Sequence, residues 1–254
     1  MTEKHQQQVA EVEVVRYAVG DQGYQDVAAY DAARYQGRAN EYKQNVMSNA
    51  YRRLIGPLEG KRVLDVGCGT GRGVVAFGKE AALATGCDAS PDMLRFAAQK
   101  AADGSRCVFA VSHAQRLPFR SDSFDVVTSL NFLHLFSLET QREMVAEMKR
   151  VVRPGGWLVL EFDNALNGVV IGPVKRWTGK EHGAMPGEIR HILGQGCRVT
   201  HVYGAVLPIV WRIFSYLPGI FIPLERVGYL PGFNRLGHRI YYRLVKEAAN
   251  GGPS

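Results

Sequence analysis

The 254-residue chain lacks several things on which other classes of protein depend. Its four cysteines, Cys68, Cys87, Cys107 and Cys197, lie far apart, with no C-x-x-C pair and no histidines at metal-ligand spacing beside them. This excludes a disulfide framework, predicts no metal site, and fits a reducing compartment. The N-terminus, MTEKHQQQVAEVEVV, has no apolar core of signal-peptide length, so the expected location is cytoplasmic. An uninterrupted apolar span is also missing. The greasiest stretch, VYGAVLPIVWRIFSYLPGIFI over 202–222, is broken by Pro208, Arg212, Pro218 and two glycines, whereas a spanning helix needs about 20 apolar residues in a row. Such a segment can lie against a membrane surface or line a greasy pocket, but it does not cross.

What is present suits one globular domain with appendages: 46% hydrophobic and 22% charged residues can bury one substantial core. The net charge of +7 is uneven, since residues 201–250 hold six Arg or Lys against two Glu, a net of +4. A solvated basic face is the plainer reading of that bias, with contact to an anionic partner the other.

Residues 1–22 read as a loosely attached tail. From Gln25 to Leu58, Val27, Tyr30, Ala33 and Tyr35, then Tyr42, Val46, Ala50 and Leu54, recur at helical spacing until Pro57. This predicts an N-terminal tail and helical cap over 1–58, ahead of a main domain over 59–254. Within the latter, strands are expected at 63–67, 82–90, 107–113, from 123, and at 157–162 after an RPGG turn (153–156). Helices are expected from 73, over 90–102 with Ser90 as N-cap and Pro91 behind it, and over 138–152. A further helix at 187–196 and strands at 197–205 and 239–247 follow. Strands alternating with helices require crossover connections, hence an α/β, Rossmann-like, doubly wound and mostly parallel seven-stranded sheet with helices on both faces. Residues 206–238, with four prolines, are too long for a hairpin and read as an apolar insertion or lid between the last two strands.

Strand and helix meet first at VLDVGCGTGRG (63–73), with glycines at 67, 69, 71 and 73. A dinucleotide turn wants G-x-G-x-x-G, but its third glycine would fall on Arg72. The spacing is instead D-V-G-C-G-T-G, and here the chain resembles the class I S-adenosylmethionine-dependent methyltransferases. Asp88, Met93, the stretch AQRLPFRSDSFDVV (114–127) and EMKRVVRPGGWLVLEF (147–162) match that family in order, and the resemblance covers about residues 60–165.

The resemblance implies S-adenosylmethionine as cofactor, released as S-adenosylhomocysteine. Asp65 would receive its ammonium, with a turn-capping role at the same time. Gly67, Cys68, Gly69 and Gly71 would let the main chain approach the amino-acid part and ribose. Asp88 would accept from both ribose hydroxyls. Met93 would pack on adenine beside Ala89. Where relatives carry an acidic residue toward the adenine amino group, this chain has His113 and Ala114; His113 either accepts that bond or ends a strand. Tyr30 and Tyr35 of the cap would close over the cofactor.

After the fourth strand, Ser129-Leu130-Asn131-Phe132 faces the expected methyl group, so Leu130 joins the cofactor shell and Asn131 the catalytic residues. The Asn-Pro-Pro-aromatic signature of nucleic-acid amino methyltransferases and a Pro-Cys pair are both missing, which predicts no nucleic-acid substrate. His134 is the candidate base, the alternative being a histidine packed under the cap; His182, His191, His201 and His238 are weaker candidates. The insertion would bury against the domain, line an acceptor pocket, or meet a membrane or a second copy. An apolar wall predicts a natural-product, isoprenoid, quinone or lipid-like small-molecule acceptor, and Arg212, Arg226, Arg235 and Arg239 could hold its anionic head group. The second reading is a non-catalytic cofactor-binding protein that uses the insertion as an interface.

Overall fold

The computed structural model describes residues 26–33, 37–101, 105–165, 183–205, 216, 230, 232 and 237–248. Two helices, α1 (Val27–Ala33) and α2 (Arg38–Ile55), precede a single seven-stranded sheet. The strands are β1 (Arg62–Val66), β2 (Leu83–Asp88), β3 (Cys107–Val111), β4 (Phe124–Ser129), β5 (Val152–Asp163), β6 (Cys197–Ala205) and β7 (Arg239–Lys246), in the order β3-β2-β1-β4-β5-β7-β6. β1 to β5 pair in parallel, and β7 runs antiparallel to both β5 and β6. The expected mostly parallel sheet is thus present, with one reversed strand.

Helices α3 (Arg72–Phe77), α4 (Pro91–Lys100), α5 (Leu138–Val151) and α6 (Pro186–Leu193) make the connections. Two of them begin with a hydroxyl that satisfies an orphan amide. Ser90 Oγ accepts from Met93 N–H at 3.3 Å ahead of Pro91, and Ser137 Oγ accepts from Thr140 N–H at 3.3 Å. α5 and α6 pack on one face of the sheet through Met144, Val145, Met148, Ile189 and Leu193; α2 and α3 pack on the other through Met47, Leu54, Val74 and Phe77. The cap helix α2 is therefore part of the main core, and Trp157 Nε1 donates to its last carbonyl, Ile55 O, at 3.0 Å.

One boundary differs from expectation. β5 begins at Val152, and RPGG is a bulge inside it, because Phe124 pairs with Val152 while Val126 pairs with Trp157. Gly155 has φ +72°, and a Cβ at Gly156 would stand 2.6 Å from Asp125 O, so the bulge needs both glycines. Among the described residues no helix is long and apolar enough to cross a membrane. Apart from Tyr216, Leu230, Gly232, Gly237 and His238, the insertion 206–238 lies outside the described residues, as do Tyr35, His182, Arg212, Arg226 and Arg235.

Candidate functional site

The chain leaves β1 toward β2 and β3, then returns to the other side of β1 as β4, and the crevice at such a switch is where open α/β sheets bind ligands. A cavity of about 920 Å³ opens there, walled by the glycine turn, the ends of β2 and β4, and the inner sides of α1 and α2.

The glycines of the turn serve different ends. Gly67, Gly69 and Gly71 all have positive φ, of 72°, 51° and 73°. A Cβ on Gly67 would fall inside the Phe132 ring, one on Gly69 would meet nothing, and one on Gly71 would stand 2.5 Å from Ala97 Cβ. Gly69 thus presents bare main chain, while Gly67 makes room for an aromatic ring. Gly71, between the lining residues Thr70 and Arg72, starts α3 in a left-handed conformation and lets α4 pack against the turn.

Two carboxylates form the polar end. Asp88 Oδ2 accepts from Gly69 N–H and its Oδ1 from Ser90 N–H, both at 2.9 Å. Each oxygen keeps a further lone pair. Asp65, 6% exposed, accepts from Thr128 Oγ1 at 2.6 Å. Burial pushes its pKa up to about 7; the Thr128 hydrogen bond opposes this and the Asp88 charge adds to it. A cation delivered into the cavity would restore its ordinary ionisation, so the site suits a ligand carrying an ammonium. Cys68, Ala89, Met93, His113 and Ala114 also line the cavity, as do Tyr30, Leu130 and Asn131. Asn131 sits at φ +54°, a conformation asparagine tolerates better than most residues, in the tight turn off β4.

Beyond that turn the wall becomes apolar, with Phe132, Leu135, Phe136 and Met144. Phe132 and Phe136 meet edge on at 4.9 Å between ring centroids. His134 does not join them. It is buried, and its Nδ1 stands 3.0 Å from Arg239 Nη1, which fixes Nδ1 as the acceptor; it does not line the cavity. Arg239 is itself 4% exposed and paired with Asp163 and, at 3.1 Å, with Glu161, so its charge is committed inside the protein and is not offered to a head group. His191 and His201 are exposed and, like His238, stand away from the cavity.

Several residues that sequence reasoning passed over complete the site. Thr128 reaches Asp65 because β4 pairs with β1 in that register. Tyr51 of α2 lines the cavity and donates to buried Glu161 Oε2 at 3.4 Å. Asp31 of α1 is bonded to Thr70 of the glycine turn. No local motif announces any of these, since each depends on a partner 39 to 110 residues away.

Residues 63–156 match the family model described as a methyltransferase domain. The chain is 38% identical over 112 residues to the demethylmenaquinone methyltransferase of Bacillus subtilis (strain 168), covering 42% of this chain and 47% of that one. It is 33% identical over 102 residues to the probable tRNA methyltransferase 9B of Mus musculus, covering 40% of this chain and 21% of the relative. The chain spans about half the length or less of these curated relatives. The crystal structure of magnesium protoporphyrin IX methyltransferase (ChlM) from Synechocystis PCC 6803 with bound S-adenosylhomocysteine shares the fold: TM-score 0.62 at 21% identity, over 88% of this chain and 97% of that one.

Proposed function

We infer, from a chain whose residues 63–156 form a methyltransferase domain of the class I S-adenosylmethionine-dependent family, that the protein transfers a methyl group to an apolar small molecule of quinone or isoprenoid type. One observation carries this reading: a single cavity has the carboxylates Asp65 and Asp88 above bare Gly69 at one end and Phe132, Leu135, Phe136 and Met144 at the other. The polar end suits a zwitterionic nucleoside and the apolar end a flat, greasy acceptor. The relative named for demethylmenaquinone supports the same acceptor class.

When bound, S-adenosylmethionine supplies a sulfonium methyl group that is displaced in line, so the protein has chiefly to align the acceptor. Asp65 receives the ammonium. Asp88 takes the ribose hydroxyls on the lone pairs left over by Gly69 and Ser90. Met93, Ala89 and Ala114 pack on adenine, and His113 offers its ring to the adenine edge. Cys68 and Leu130 border the ribose and the reacting end, Asn131 holds the turn that faces the acceptor, and Tyr30 closes the cavity from α1. His134 acts indirectly: with Nδ1 accepting from Arg239, it anchors the buried Glu161–Asp163–Arg239 group behind Tyr51 and takes no proton from the acceptor.

Calorimetric titration with S-adenosylhomocysteine, with NADH as control, tests the cofactor. Micromolar binding of the former alone, about −8 kcal/mol, is the expected result. Transfer of a labelled methyl group is then measured with a polyprenyl naphthohydroquinone, a protoporphyrin and tRNA as acceptors. Label in the quinol supports the acceptor class, and label in tRNA alone overturns it.

A further inference from the structure

The helix ahead of α2 is attached to the cavity in an unusual way. Of the seven residues of α1 only Asp31 is buried; Ala28, Ala29, Ala32 and Ala33 are exposed. Val27 and Tyr30 are half-buried, so no apolar side chain of α1 is fully buried and its one buried side chain is the polar Asp31. Asp31 accepts from Thr70 Oγ1 at 2.5 Å, from Arg72 Nε and Nη2 at 2.9 and 2.7 Å, and from Lys100 Nζ at 2.8 Å. Thr70 belongs to the glycine turn, Arg72 begins α3 and Lys100 ends α4, and Lys100 also donates to Thr70 O at 3.3 Å. Burial works to raise the Asp31 pKa, but the bonds from Arg72, Lys100 and Thr70 outweigh it and hold the carboxyl well below the usual carboxylate range.

One carboxylate therefore gathers three structures that frame the cavity, and the residue before it, Tyr30, lines that cavity. The partners are easily returned to water, since the Arg72 and Lys100 side chains are already 43% and 27% exposed. A helix held by charge-assisted bonds, with little apolar burial to lose, is built to open locally while the domain stays folded.

We propose that α1 is a lid over the cofactor cavity and that Asp31 is its latch, so that cofactor enters and product leaves when the bonds to Thr70, Arg72 and Lys100 break. The proposal rests on the cofactor reading above. Asp31 is a positioning residue in it: it touches the turn and not the ligand. Lids of this kind set the rate of ligand exchange more than the depth of binding. Removing the latch then raises the association and dissociation rates together.

Surface plasmon resonance on the full chain, with S-adenosylhomocysteine as the probe, separates the possibilities. In Asp31→Asn both rates rise about tenfold or more, as loss of a charge-assisted contact implies, while Kd changes by less than either rate. Lys100→Met, which keeps the carboxylate and two of its partners, gives the same pattern at smaller size. Raising ionic strength from about 0.05 to about 0.5 M speeds both rates in the wild type and leaves Asp31→Asn unchanged, because the screened pairs are already gone. A faster dissociation with unchanged association makes Asp31 an ordinary stabilising contact and overturns the lid. So does a lower melting temperature with both rates unaltered. If the wild-type chain does not bind the probe, the cofactor reading fails first and the latch falls with it.

Discussion

The two faces of the sheet follow different rules. On the face under α5 and α6, Leu64, Val66, Val127, Leu158, Leu160 and Phe162 are apolar, and the one polar strand end, Ser129, donates to Val66 O at 3.1 Å. On the face under α2 and α3, Val63, Val126 and Val159 are each followed two residues later by a polar side chain, Asp65, Thr128 and Glu161. Side chains on one face of a strand recur every second residue, so Asp65 stands opposite Thr128, and Glu161 lies on the same face two residues beyond Val159, the partner of Thr128; the three form a polar row that steps along β5. That row lies at the carboxyl ends, where the cavity opens. One face is a close-packed core that reaches the cavity only through Phe132, Leu135, Phe136 and Met144; the other is a core for half its length and carries the polar end of the cavity for the rest. Burying a carboxylate such as Asp65 costs stability that the opposite face must supply.

The largest effect should come from breaking the apolar face. Leu160→Ala, at a position with no exposure, costs about 3 kcal/mol in chemical denaturation, while affinity for S-adenosylhomocysteine stays within about twofold. The mirror experiment is Asp65→Asn. It removes a buried carboxylate and keeps the shape, so at pH 8 the ligand-free protein gains about 2 kcal/mol and loses about 100-fold in affinity. A loss of stability in that variant would show that Asp65 caps the turn more than it burdens the core.

The pH dependence sharpens the same contrast. Because the Asp65 pKa is raised by burial to about 7, the native chain holds a proton there that the unfolded chain gives up near pH 4. Its contribution to stability therefore falls as pH rises from about 4 to about 7, the reverse of a salt-bridged carboxylate. Ligand affinity moves the other way. An ammonium favours the ionised form, so calorimetry below pH 7 should detect proton release and an affinity that climbs with pH, then levels off. The smallest effect is expected of His134→Asn, whose Oδ1 can still accept from Arg239: cofactor affinity holds within about twofold, and turnover falls by less than tenfold. A complete loss of turnover with a normal melting temperature would restore His134 as the base.

Much of this was legible along the chain, and the reasons are local. Ser90 and Pro91 announce α4 because a hydroxyl and a fixed φ act within one turn of helix. The alternation of strand and helix announces a parallel sheet because nothing shorter can connect parallel neighbours. Asp65, Gly67, Gly69 and Asp88 were found through their spacing, and the structure brings all four to one cavity. Gly71 packs against α4 and His134 against Arg239, and neither is in the cavity lining. Spacing alone does not separate a glycine that admits a ligand from one that admits a helix, nor does it say to which side of a turn a histidine points. The RPGG bulge was read as a turn because its composition is that of a turn; only pairing on both sides of it makes it part of β5.

By itself the sequence determined the fold class, the glycine turn that lines the cavity and the polar residue at the end of β2, because each follows from neighbours a few residues apart. Tertiary structure alone decided that Thr128 faces Asp65, that Arg239 is spent on Glu161, Asp163 and His134, and that Asp31 fastens α1 across the turn. Those contacts join residues 39 to 105 positions apart. Which of the many charged side chains in a chain will meet at such separations depends on strand order and register, and these are settled by the burial of the whole sheet at once.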